Sequence, residues 1–127
     1  MIDVTAIDHV CLSVSSLARA QEYYERVFGA SCNLREGDPR TLVVEAARVH
    51  FFLSKSPASS EFLSSQHLSL RVNSLDDVIA ALNALGITKY KTGVVSFFKH
   101  NNYRWCAWKD PDGIRLECVE MLKGCNT

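Results

Sequence analysis

His9-Val10-Cys11-Leu12-Ser13-Val14-Ser15-Ser16-Leu17 and His67-Leu68-Ser69-Leu70-Arg71-Val72-Asn73-Ser74-Leu75 are two copies of one phrase. Each opens on a histidine, alternates like a strand and runs into a helix start. The register then holds to within one residue, because Phe28-Gly29 in the first copy answers Leu85-Gly86 in the second. The chain therefore reads as one structural module written twice. A duplicated strand puts its histidine at equivalent points of two related halves, and halves packed face to face would let the two imidazoles converge. That makes a metal site the leading expectation.

Outward from these phrases, the pattern predicts strand, helix and three strands in each copy. In residues 6–14, Ile7, His9, Cys11 and Ser13 share one face. Val10, Leu12 and Val14 share the other, which packs under a helix. Ser15 or Ser16 caps a helix over 16–28, with an apolar stripe of Leu17, Ala20, Tyr24, Val27 and Phe28 and a left-handed stop at Gly29. Strands are expected near 31–35, 40–46 and 48–54, the first two punctuated by Gly37-Asp38-Pro39. Residues 55–65, rich in serine, read as the linker. In the second copy a strand at 67–72 leads to a helix capped by Ser74, with Asp76 and Asp77 in its first turn. Its stripe is Leu75, Val78, Ile79, Leu82 and Leu85, and Gly86 ends it. Strands near 88–95, 103–108 and 114–121 follow, the last two joined by the Asp110-Pro111-Asp112-Gly113 turn. The fold class is α+β: two tandem βαβββ modules, about 5–54 and about 66–122, whose short sheets close into one cupped mixed sheet in a single domain over 1–127.

The bulk numbers agree with a small core-bearing domain. Of the 127 residues, 47% are hydrophobic, too many for disorder. Fourteen basic residues balance fourteen acidic ones, and no basic stripe gives a nucleic-acid footprint. No apolar run approaches the roughly 18 residues of a membrane span, and no signal-peptide core follows the start. The expected partners are a small molecule and a second copy of the chain, with neither nucleic acid nor membrane. Five cysteines, with no Cys-x-x-Cys pair, suit reduced thiols and a cytoplasmic location.

Two imidazoles make a poor metal site alone, and Glu117 is the best third ligand. It lies in mid-strand among apolar residues, where a carboxylate is costly unless paired or metal-bound. On that strand Arg115, Glu117 and Val119 share one face; Ile114, Leu116 and Cys118 share the other, which makes Cys118 core. Glu120, nearer the strand's end, reads as solvated. His9, His67 and Glu117 form a two-histidine, one-carboxylate set with positions left open for substrate or water. The alternative for each histidine is an ordinary sheet residue. His50 and His100 read as surface or rim. Cys11 shares the His9 face and is either a soft ligand or reactive thiol or, by the preferred reading, a small core residue. Tyr103 and Trp105 share a face that either walls a pocket on the Glu117 side or packs as core against the facing sheet. Arg71, on the His67 face, either attracts an anionic substrate group or pairs with a carboxylate such as Glu45. Arg115 reads as a rim or structural residue.

These residues carry a resemblance. Asp8-His9-Val10-Cys11-Leu12-Ser13-Val14, Tyr23-Tyr24-Glu25-Arg26-Val27-Phe28-Gly29, Gln66-His67-Leu68-Ser69-Leu70 and Asp110-Pro111-Asp112-Gly113-Ile114-Arg115-Leu116-Glu117 resemble the vicinal oxygen chelate superfamily, which includes glyoxalases, bleomycin-resistance proteins and dioxygenases. The order and spacing of His9, His67 and Glu117 are closest to those of small fosfomycin-resistance enzymes. The departures narrow the choice. Glyoxalase I carries a second glutamate late in its first copy, and that position falls on Phe51 here. Fosfomycin thiol transferases carry a threonine where this chain has Cys11, and an ion-binding loop where it reads Lys99-His100-Asn101-Asn102-Tyr103-Arg104. Their final arginine has no counterpart near Cys125-Asn126-Thr127, so fosfomycin is not the expected substrate.

The resemblance implies an enzyme with one divalent ion (manganese, iron(II), zinc, nickel or cobalt) held by His9, His67 and Glu117. The ion would chelate vicinal oxygens of a small substrate, for lyase, isomerase, thiol-transferase or dioxygenase chemistry. Substrate contacts are expected from Cys11, Arg71, Tyr103 and Trp105. No general base is obvious; Glu45 and Cys11 are the candidates. The resemblance also implies a homodimer. The alternative function is a metal-free protein that sequesters a small molecule, as bleomycin-resistance proteins do.

Overall fold

The computed structural model describes residues 1–96 and 102–122. His100 and Cys125, weighed above, lie outside them. The chain divides into two compact units, the second beginning at Ser60. In the first, β1 (Cys11–Val14), α1 (Leu17–Phe28), β2 (Ser31–Arg35), β3 (Asp38–Ala46) and β4 (Val49–Lys55) form the predicted βαβββ module. In the second, a short helix α2 (Ser60–Ser64) precedes β5 (His67–Arg71), α3 (Leu75–Ala84), β6 (Lys91–Val95), β7 (Tyr103–Lys109) and β8 (Arg115–Met121). The duplication seen in sequence is repeated in topology. The sheets run β1-β4-β3-β2 and β5-β8-β7-β6, with one parallel pair each, β1 with β4 and β5 with β8.

Both long helices start and stop as their sequences dictate. Ser16 accepts the Arg19 backbone N–H at 3.2 Å, and Ser74 accepts that of Asp77 at 3.2 Å, each answering an orphan donor of the first turn. Gly29 stops α1 at φ 63°, its N–H donating to the Glu25 carbonyl at 2.9 Å. The buried face of α1 is Ala20, Tyr23 and Tyr24, so the predicted stripe is rotated to include Tyr23. Tyr24 meets Phe51 edge-on at 5.8 Å, over a sheet face that buries Leu12, Val14, Leu42, Val44 and Leu53. In the second unit Leu75 and Leu82 of α3 are buried, as are Cys106, Trp108, Leu116 and Cys118 of the sheet beneath it.

Several boundaries differ from expectation for physical reasons. Strand β1 begins at Cys11 rather than residue 6, and Val10 is 37% exposed. The Val10 carbonyl, accepting from Phe52 at 2.9 Å, extends the ladder one residue ahead of β1. The β2–β3 turn is Glu36-Gly37, with Gly37 at φ 77°; Asp38 and Pro39 already belong to β3. Pro39 fits there because the register jumps between Leu34 and Arg35, leaving it where no ladder N–H is required. Strand β6 starts at Lys91, not 88. Part of the serine-rich stretch is folded: α2 buries Leu63 and sets Ser64 3.0 Å from where a Gly113 side chain would begin.

Candidate functional site

One face of each sheet is covered by its helix; the candidate residues stand on the other. In the second unit, His67, Ser69 and Arg71 alternate along β5 and pair with Arg115, Glu117 and Val119 of β8. Those in turn face Lys109, Ala107 and Trp105 of β7, and Tyr103 faces Met121. Tyr103 and Trp105 therefore lie on the Glu117 face. Glu117 is 8% exposed, among the few buried charged residues described. Its two oxygens are divided. Oε1 lies 3.5 Å from His67 Nε2, and Oε2 accepts a hydrogen bond from Arg115 Nη2 at 3.0 Å. Arg115 also lies over the Trp105 ring, 5.3 Å from its centroid, and its Nε is buried without a hydrogen-bond partner. Arg115 is thus the direct partner of the buried carboxylate.

Trp105 has its own cause. A side chain at Gly93, its cross-strand partner, would begin 2.6 Å from the indole. The glycine makes room for the ring to lie across the end strand, a known device for covering edge glycines. Glu120 is not simply solvated: it accepts the Leu75 backbone N–H at 2.7 Å, adding a cap to α3 from a neighbouring strand. Arg71 is exposed at the end of β5. Cys118 is core as expected, 3% exposed, and burial, aided by Cys106 and Glu117, pushes its thiol up to about 12.

In the first unit, His9 lies just ahead of β1. Its Nδ1 is 2.7 Å from Asp8 Oδ2, and His50 Nε2 is 3.5 Å from the same oxygen. Asp8, His9 and His50 can each offer one ligand atom, all within 4.8 Å of one another. The carboxyl of Asp8 is held below its usual range, chiefly by the hydrogen bond to His9, with His50 adding attraction. The sequence treated His50 as a rim residue. Parity along β4 could have flagged it, since His50, Phe52 and Ser54 share the face on which Cys11 and Ser13 stand. The Phe52 ring lies tilted against His9, 4.4 Å between centroids. Cys11 is exposed rather than core, with Sγ 3.3 Å from Ser54 Oγ. Glu45 is exposed, opposite His50 on β3.

Register also corrects one assignment. Cys11 pairs with Phe52 as Ser69 pairs with Glu117, and these partners stand two residues after His9 and His67. The counterpart of Glu117 in the first module is therefore Phe52. Phe51 points to the helix side and is buried.

A family model described as the Glyoxalase/Bleomycin resistance protein/Dioxygenase superfamily matches residues 6–118. Comparison with curated proteins finds no match. Among solved structures, a virulence protein from Salmonella typhimurium is 19% identical with a TM-score of 0.77, covering 95% of this chain and 100% of that one. A bleomycin-binding protein complexed with bleomycin is 17% identical, TM-score 0.71, over 91% of this chain and 98% of that one. An antibiotic-binding protein from a Streptomyces species is 17% identical, TM-score 0.69, over 96% and 100%. At these identities the likeness is one of fold.

Proposed function

The chain belongs to the glyoxalase/bleomycin resistance protein/dioxygenase superfamily, and from that premise we propose that it is a divalent-metal enzyme acting on a small oxygenated molecule. The observation that carries this is the division of the Glu117 carboxylate. One oxygen is tethered by Arg115 while the other stands 3.5 Å from the His67 imidazole. Two ligand bonds of about 2.1 Å can span that gap. A ligating carboxylate held through its second oxygen is the usual support for a metal ligand. Glu117 and His67 fit a metal in chemistry and spacing, and His9 is the third ligand of the proposal. The ion would be manganese, iron(II), zinc, nickel or cobalt, and its role is that of a Lewis acid toward adjacent substrate oxygens.

The protein's own residues do the rest. Arg115 fixes the carboxylate's orientation. The Trp105 and Tyr103 side of the sheet offers aromatic surface to the substrate, Arg71 a cation for an anionic group, and Cys11 or Glu45 a proton acceptor. The assembly proposed is a homodimer.

A second reading, metal-free sequestration of a small molecule, is favoured by one contact. Arg115 already satisfies Glu117 at 3.0 Å without an ion. Turnover separates the two. Wild type, chelator-treated protein and Glu117→Gln are assayed with 2-oxoaldehyde–thiol adducts, epoxides, catechols and acyl-CoA epimers under each candidate metal. Turnover confined to metal-loaded wild type supports the enzyme. Equal ligand binding by all three samples, with no turnover in any, supports sequestration.

A further inference from the structure

A groove of about 570 Å³ opens at one end of the second unit's sheet. Its lining includes Lys89, Lys91, Lys109 and Arg115 and no carboxylate. In a chain whose formal charge sums to zero, this local excess is not a sample of the average surface. Ile87 and Trp108 add apolar lining. The cations come from separate elements: Lys89 from the loop after α3, Lys91 from the end strand β6, Lys109 from the close of β7 and Arg115 from the start of β8. Lys109 and Arg115 stand directly opposite in the ladder. Arg115 also carries the buried Nε that lacks an acceptor.

We propose that this groove binds an organic polyanion, a small molecule bearing phosphate or carboxylate groups on a partly apolar body. Its size falls within the usual ~300–1,000 Å³ of small-molecule pockets. Lysines at the rim supply mobile point charges, and Arg115, whose Nη2 is held by Glu117, adds its remaining N–H donors. Lys91, Lys109 and Arg115 share the Glu117 face of the sheet by register. The site stands on its own cations and does not depend on a metal.

The test uses the full chain after chelator treatment and removal of the chelator, so that no ion can mediate binding. Inorganic pyrophosphate and tricarballylate are titrated by calorimetry into wild type, Lys89→Gln/Lys91→Gln, Lys109→Gln and a first-unit control, Lys55→Gln. Saturable binding is expected with one probe or both, the tighter naming phosphate or carboxylate as the recognised group. Affinity should weaken as salt rises, fall at least tenfold in the double variant and at least threefold in Lys109→Gln, and stay unchanged in the control. Circular dichroism verifies that each variant is folded. Absence of saturable binding to wild type overturns the proposal, as does affinity that survives in both groove variants or falls equally in the control.

Discussion

Ala47 turns the β3–β4 hairpin at φ 52°, the one non-glycine residue described with positive φ. It is the first of two residues between Ala46 and Val49, a position that favours glycine in a two-residue hairpin. Ala47→Gly should therefore stabilise the protein by about 1 kcal/mol, read as a rise in the denaturation midpoint; an unchanged or lower midpoint counts against the strain. Gly93 predicts the opposite sign. Gly93→Ala forces its new carbon onto the Trp105 ring and should cost about 1–3 kcal/mol, with a shift in tryptophan emission as the ring moves. The raised Cys118 thiol gives a pH effect. The folded state holds its proton more tightly than the unfolded state. Its contribution is complete below the unfolded value of 9.0 and is lost as pH climbs toward about 12. At pH 8, a thiol reagent should modify exposed Cys11 rapidly in native protein and reach Cys118 only on unfolding. Equal rates would contradict the burial.

At the scale of elements, helix ends and strand parity were legible because their causes are local. Ser16, Ser74 and Gly29 act within a turn of themselves, and the alternation around Glu117 needs only a run of seven residues. What was missed depends on partners distant in sequence. Glu120 serves Leu75 from another strand. The neighbourhood of His50 and His9 follows from the parallel pairing of β1 with β4. The equivalence of Phe52 with Glu117 needs two ladder registers that no single segment encodes. Arg115 could be seen beside the turn, but not as the partner of Glu117. The cross-strand cap makes a prediction. Glu120→Gln should cost less than Glu120→Ala, and the alanine change about 1 kcal/mol. Equal and negligible losses in urea denaturation would show that Ser74 alone caps α3.

For the whole molecule, the repeated phrase led to the fold because duplication is a long-range signal carried by short-range text. Both modules returned the same strand order. Among the described residues no helix is long and apolar enough to cross a membrane. Among the described residues the end strands of each four-stranded sheet pair on one side only, and such edges favour covering by another chain. Sedimentation at micromolar concentration should give twice the 14.2 kDa of one chain; a single-chain mass would remove the dimer. The central claim is the metal held by His67 and Glu117 with His9. Its most direct test is the metal content of protein purified without chelator, as wild type, His67→Ala, Glu117→Gln and His50→Ala. The account predicts one equivalent of a transition metal in wild type and in His50→Ala, with loss from the other two while the fold is retained. Wild type without metal, even after incubation with each candidate ion, or equal metal in His67→Ala and Glu117→Gln, would contradict it.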